Sequence, residues 1–247
     1  MKTISVYPLD LKAGTFDEAA SLLLECASCA TSSSIVLHIN ARNYYFLIKD
    51  DELIEGLKHN ATSLLDGIGL KLGIWLAGKG WQSDLNGTDL FPRVMKRASE
   101  MGMTLFLLGG RKPVTSRVAE TLVQSYPGIE VCGYRDGYFA EDEEDKIVRR
   151  IRSCRPNILI VGMGFPRQES FSLKYRDRIG ANLIWNVGGL FDFVSGSKPR
   201  APQIVRRIRM EWFFRWIVEP RRLFLRTFFY EPFTVVKLAI SRFRKNS

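Results

Sequence analysis

The sequence predicts an α/β fold: a Rossmann-like sheet with helices on both faces, plus a C-terminal basic, aromatic, helical appendage. Short apolar runs alternate with amphipathic stretches, the pattern of strands and covering helices. Several of the runs end on glycine or a small polar residue, as strands do where an open sheet meets a ligand. The charge is also segregated. Of 36 Lys and Arg and 26 Asp and Glu, residues 200–247 hold 12 and 3, which places +9 of the net +10 in that tail.

Along the chain, an extended start is followed by Thr15-Phe16-Asp17-Glu18, a capping box that opens a helix running to about Cys29. Strands are expected over 35–39, 63–65, 104–108, 129–132, 157–161 and 183–187. Helical patterns lie between them near 43–58, 68–78, 88–101, 114–125, 141–153 and 167–178. No repeat or low-complexity linker divides residues 1–196, which read as one catalytic domain. The turn-rich loop Ser195 to Pro202 leads into the appendage, residues 197–247. Its two amphipathic helical patterns are split at Glu219-Pro220 and Glu231-Pro232.

A content of 46% hydrophobic and 25% charged residues fits a globular protein and excludes disorder, collagen and coiled coil. No run reaches about 18 apolar residues, and the start MKTISVYPLDLK lacks the apolar centre of a signal peptide, so a cytoplasmic protein is expected. Cys26, Cys29, Cys132 and Cys154 are too scattered for a disulfide framework and are expected as free thiols. The Cys26-Ala-Ser-Cys29 pair falls in a helical pattern with no second pair to complete a zinc site. Ten aromatic residues interleave the tail's charges, so it should fold or bind something.

Three places after predicted strands are candidates for chemistry. In Ile39-Asn40-Ala41-Arg42-Asn43 an amide or guanidinium suits a sugar or base, while Asn40 or Asn43 equally suits a helix N-cap. In Asp66-Gly67-Ile68-Gly69 a carboxylate precedes glycines that allow close approach. Asp66 is a candidate general base, although Asp before Gly is also an ordinary turn. In Val161-Gly162-Met163-Gly164-Phe165-Pro166-Arg167-Gln168-Glu169 the amides of Gly162 and Gly164 suit a phosphate, although a tight βα turn needs Gly anyway. There is no phosphate-binding loop ending in Lys-Ser or Lys-Thr and no Gly-x-Ser-x-Gly elbow. Only His38 and His59 are present, too few for a histidine metal site. The acidic run Glu141 to Asp145 reads as complementing a helix dipole, not as a metal site.

Taken with Gly87-Thr88-Asp89-Leu90, Phe106 to Gly110, Gly137-Tyr138-Phe139, Gly188 to Asp192, Arg200-Ala201-Pro202 and Glu211-Trp212 to Arg222, these segments resemble the WecG/TagA/CpsF glycosyltransferases of bacterial surface polysaccharide and teichoic acid linkage-unit synthesis. The resemblance spans most of the chain. It implies an inverting, metal-independent transferase of hexosyl or N-acetylhexosaminyl type that needs no cofactor. A nucleotide diphosphate sugar, usually a UDP-sugar, would be the donor, and a polyprenyl-diphosphate-linked sugar the acceptor. It makes Asp66 the catalytic base and gives substrate-binding roles to Asn40, Gly162, Gly164, Gln168, Arg200, Arg215 and Arg222. The chain has no Asp-x-Asp metal motif, so tail arginines are expected to stabilise the leaving diphosphate. His38 replaces a common Thr and Arg42 a common acidic residue, which argues against simply copying an N-acetylmannosamine donor.

The expected location is peripheral, on an anionic membrane surface at the cytoplasmic face of the inner membrane, with a homo-oligomer left open. A different Rossmann-like enzyme, such as a methyltransferase using a nucleotide cofactor, is the second reading and a nucleic-acid-binding protein the third. The helical spacing of Ile204, Ile208, Trp212 and Trp216 suits burial or a membrane surface better than base stacking.

Overall fold

The computed structural model describes residues 1–29, 31–199 and 224–244. Eight strands form one sheet, β1 (Lys2–Val6), β2 (Leu9–Ala13), β3 (Ser34–Ile39), β4 (Ala61–Leu65), β5 (Thr104–Gly109), β6 (Glu130–Arg135), β7 (Ile158–Gly162) and β8 (Leu183–Asn186). Their spatial order is β1-β2-β4-β3-β8-β7-β5-β6. All pairings are parallel except the β1–β2 hairpin, which the sequence suggested only as an extended start.

The helices are α1 (Phe16–Ser28), α2 (Ala41–Leu47), α3 (Asp51–Asn60), α4 (Ile68–Ile74), α5 (Gly87–Glu100), α6 (Lys112–Ser125), α7 (Glu141–Cys154), α8 (Arg167–Ile179), α9 (Leu190–Val194) and α10 (Glu231–Arg244). Thr15 and Glu18 form the expected reciprocal cap on α1. The stretch expected as one helix over 43–58 is two, because Asp50 leaves helical geometry and caps α3 through the Leu53 amide. Helix α4 runs into a wider π-type turn, Trp75–Lys79, that ends where Gly78 takes a positive φ. A second such turn, Arg226–Tyr230, leads into α10.

Period-two alternation divides the core into two layers. On one face Ile35, Leu37 and Ile39 of β3 join Phe106, Leu159 and Ile184 beneath α2, α3, α4, α7 and α8. On the other, Val36, Leu105, Leu107, Ile160 and Trp185 pack under α1, α5, α6 and α9. Chain order reverses between β3 and β8: β4 adds on one side of β3, whereas β5 to β8 build the other half of the sheet. A crevice at the carboxyl ends of such strands is the expected ligand site of an open α/β sheet.

Helix α10 belongs to the first layer. Leu238 is 4% exposed there, and the hydroxyl of the fully buried Thr234 donates to the Ala41 carbonyl at 3.0 Å. Close approach depends on small residues of α4. A Cβ on Gly73 would lie 2.8 Å from Leu238 and 3.3 Å from the Val235 Cα, and one on Gly69 would lie 3.1 Å from Glu231. Gly69 thus admits a helix, not the ligand its position suggested. Among the described residues no helix is long and apolar enough to cross a membrane, and the four cysteines are free.

Candidate active site

A cavity of about 560 Å³ opens at the β3/β8 crevice, and Asn40, Arg42, Asp66, Gly164, Gln168 and Gly188 are among its walls. Segments predicted separately from the sequence therefore converge. Three of them, Asn40, Asp66 and Gly164, follow the carboxyl ends of β3, β4 and β7 respectively. Gly162 ends β7 itself, where its carbonyl accepts from the Gly110 amide at 3.0 Å. Arg200, Arg215 and Arg222 lie outside the described residues, but Leu225 and Tyr230 of the same tail line the cavity.

Asn40 is both cap and wall. Its Oδ1 accepts from the Asn43 amide at 3.1 Å, which starts α2. Asn43 in turn donates from Nδ2 to the His38 carbonyl. The guanidinium of Arg42 lies 5.0 Å from the centroid of the Phe46 ring and borders the cavity without an ion pair to a described residue.

His38 is held neutral. Trp185 donates Nε1–H to His38 Nε2 at 3.0 Å, so Nδ1 carries the proton and donates to the Leu85 carbonyl at 3.0 Å. Burial drives its pKa down to about 4. Both ring nitrogens are therefore engaged inside the protein.

Asp66 leaves β4 with its backbone amide paired to the Ile39 carbonyl at 2.9 Å, which fixes the residue at the cavity. Gly67 follows with φ of 86°, a left-handed value that favours glycine. This turn aims the Gly67 amide at Oδ1 of Asp84, 2.8 Å away. Asp84 is a second carboxylate that sequence reasoning missed. Burial first, and then the charge of Asp66, push its carboxyl up to about 6. The Gly67 amide, Lys71 and Asn86 pull the other way. Asp84 comes 18 positions after Asp66, beyond a π-type turn, so only the polar run Gln82-Ser83-Asp84 before a buried Leu85 marked it.

Gln168 ties two loops together. Its Oε1 accepts from the amides of Gly164 at 3.2 Å and Gly188 at 3.0 Å, while Nε2 donates to Glu169 Oε1 at 2.8 Å. The Gly164 amide, expected as a phosphate donor, is thus given to Gln168. Glu169 is fully buried and its Oε2 has no hydrogen-bond partner among the described residues. That burial pushes its carboxyl up to about 8, so it is protonated at neutral pH. Among the described residues no group of three His, Cys, Asp or Glu is placed to hold a metal ion.

The arrangement can accept a proton at Asp66 and meet an anion with Arg42, at the place where an open sheet binds ligands. The chain is 31% identical over 189 residues to an N-acetylglucosaminyldiphosphoundecaprenol N-acetyl-beta-D-mannosaminyltransferase of Bacillus subtilis (strain 168), covering 76% of this chain and 73% of that protein. It is 35% identical over 159 residues to the enzyme of the same name from Bacillus spizizenii (strain ATCC 23059 / NRRL B-14472 / W23), covering 64% and 61%. To the Staphylococcus aureus (strain NCTC 8325 / PS 47) enzyme it is 25% identical over 197 residues, covering 80% and 77%. The pattern of the Glycosyl transferase WecG/TagA/CpsF family matches residues 4–247, and the chain belongs to that family of glycosyltransferases.

Proposed function

We propose that the protein moves a sugar from a nucleotide diphosphate donor, a UDP-sugar, to a saccharide on polyprenyl diphosphate, with inversion and without a metal. The observation that carries this reading is the placement of Asp66 on the cavity at the β3/β8 crevice, in a chain whose relatives are named for transfer to a diphosphoundecaprenol-linked sugar.

In the proposed step an acceptor hydroxyl attacks the anomeric carbon while Asp66 takes its proton. The bond from that carbon to the donor's phosphate oxygen breaks opposite the attack, and the nucleotide diphosphate leaves with the electron pair. Asn40 and Gln168 border the sugar, Gln168 chiefly by holding the Gly164 and Gly188 loops. Negative charge growing on the diphosphate needs a cation, and a guanidinium fork pairs two phosphate oxygens at once. Arg42 is the described candidate, and Arg200, Arg215 and Arg222 join it in this reading. The basic tail would rest on anionic lipid at the cytoplasmic face, where each Lys or Arg contributes about 1 kcal/mol.

The test is transfer from a panel of nucleotide sugars to a lipid-diphosphate-linked N-acetylglucosamine, with and without excess chelator. Product of inverted configuration, formed at an unchanged rate in chelator, is the expected result. Absence of transfer from every donor would reject the reading, and activity restored only by Mg²⁺ or Mn²⁺ would reject its metal-free form.

A further inference from the structure

A second cavity, of about 1070 Å³, lies beside the first, between the β1–β2 hairpin, α4 and α10. Tyr7, Tyr44, Ile74, Phe229, Phe233 and Ile240 are among its walls. Its outer lip is apolar yet open: Phe229 is 51%, Val236 56% and Ile240 51% exposed. Exposed apolar residues scattered singly are ordinary, but a contiguous set lining a groove marks a binding surface. Lys79 and Lys237 stand in its lining.

The groove and the catalytic cavity share a wall. Phe229 faces the groove and the next residue, Tyr230, lines the cavity, with ring centroids 5.7 Å apart. Tyr45 packs against both, at 5.7 Å and 4.8 Å. On α2 the same division falls between Asn43, which lines the cavity, and Tyr44, which lines the groove. A ligand with a polar head at Asp66 and a long apolar tail would therefore find head and tail sites on opposite sides of one aromatic partition.

We propose that this groove holds the first part of the acceptor's polyprenyl chain as it leaves the diphosphate. The assignment rests on the glycosyl transfer proposed above. A hydrocarbon chain needs no hydrogen bonds from its site, whereas an extended peptide needs partners for its backbone. The groove is poor in them. The Ser5 carbonyl, on the edge strand, is already taken by the Lys79 ammonium, and the Tyr44 hydroxyl is committed to the Tyr7 carbonyl at 2.8 Å. The two lysines give the lining a positive charge suited to a lipid whose other end is a diphosphate.

The full-chain protein would be assayed with two acceptors carrying the same diphosphate saccharide, one on a long polyprenyl chain and one on a short soluble chain. Val236→Asn and Ile240→Asn would be compared with wild type, since both side chains lie on the exposed lip away from Asp66. The expected result is a KM for the long-chain acceptor raised about tenfold, the effect of losing one or two apolar contacts. kcat and the short-chain KM should not change. Equal KM values for the two acceptors in the wild type, or equal effects on both in the variants, would overturn the proposal. So would weaker binding of the variants to acceptor-free anionic vesicles, which would assign the lip to the bilayer, or a dimer that they dissociate. A long polyprenyl diphosphate bearing a photoreactive group, without any sugar, separates the two readings. Crosslinking to residues 229–240 without turnover on any acceptor would reject the proposed transfer and keep the groove, and turnover without crosslinking would do the reverse.

Discussion

The Gly67 amide donates to Oδ1 of Asp84 at 2.8 Å, seating a second carboxylate against the turn that carries Asp66. A like charge beside a buried carboxyl disfavours its ionisation and raises its titration. Burial and the charge of Asp66 raise that titration at Asp84 to about 6. Lys71, from α4, and His38, held neutral on β3, are the other titratable groups acting on it or feeling its charge. As pH falls through about 6 Asp84 takes up a proton, and the like charge that makes Asp66 a stronger base is removed. kcat/KM should therefore decline on the acid side. Asp84→Asn keeps an oxygen for Gly67 but removes the like charge, so the acid limb should move to lower pH. A limb that stays in place would show that Asp84 does not act on Asp66.

Asp66→Asn should keep the fold and donor binding and slow transfer by about 10²- to 10⁴-fold, the range for losing a general base. Single-turnover rates alongside donor titration by calorimetry make the comparison. Near-normal turnover would exclude Asp66 as the base.

Glu169 makes a prediction about stability. Its carboxyl is raised from 4.5 to about 8, so between these values the folded state holds a proton that the unfolded chain releases. The stabilisation present below about 4.5 is lost as pH rises toward 8. Glu169→Gln is neutral throughout and should flatten that part of the curve, gaining on wild type in thermal unfolding as pH rises from 4.5 to about 8. Parallel curves for the two proteins would count against a protonated Glu169.

Gly73→Val places a branched side chain where a Cβ alone would already stand 2.8 Å from Leu238. Overpacking of this kind costs about 1–3 kcal/mol. The gain in helix propensity over Gly is only a few tenths of a kcal/mol. Looser docking of α10 should appear as faster proteolysis within residues 224–244 at an unchanged rate in the body. Equal cleavage rates would mean that α10 does not depend on the small face of α4.

By itself the sequence determined the alternation of strands and helices, the reciprocal cap of Thr15 and Glu18, and the arrival of Asp66 at the end of a strand. These are local matters, set by residue spacing and by backbone groups that must find partners within a few residues. Family membership was legible too, through the order of motifs along the chain. Tertiary structure alone decided which strand ends became neighbours. Pairing of β3 with β8 brings together segments about 150 residues apart, and no periodicity encodes it. It also decided that His38 is engaged by Trp185, that Asp84 is seated against the turn after Asp66, and that Gly69 and Gly73 admit α10. Each of those outcomes depends on what lies across the fold, because burial, charge proximity and close packing belong to pairs of residues that the chain keeps far apart until it is folded.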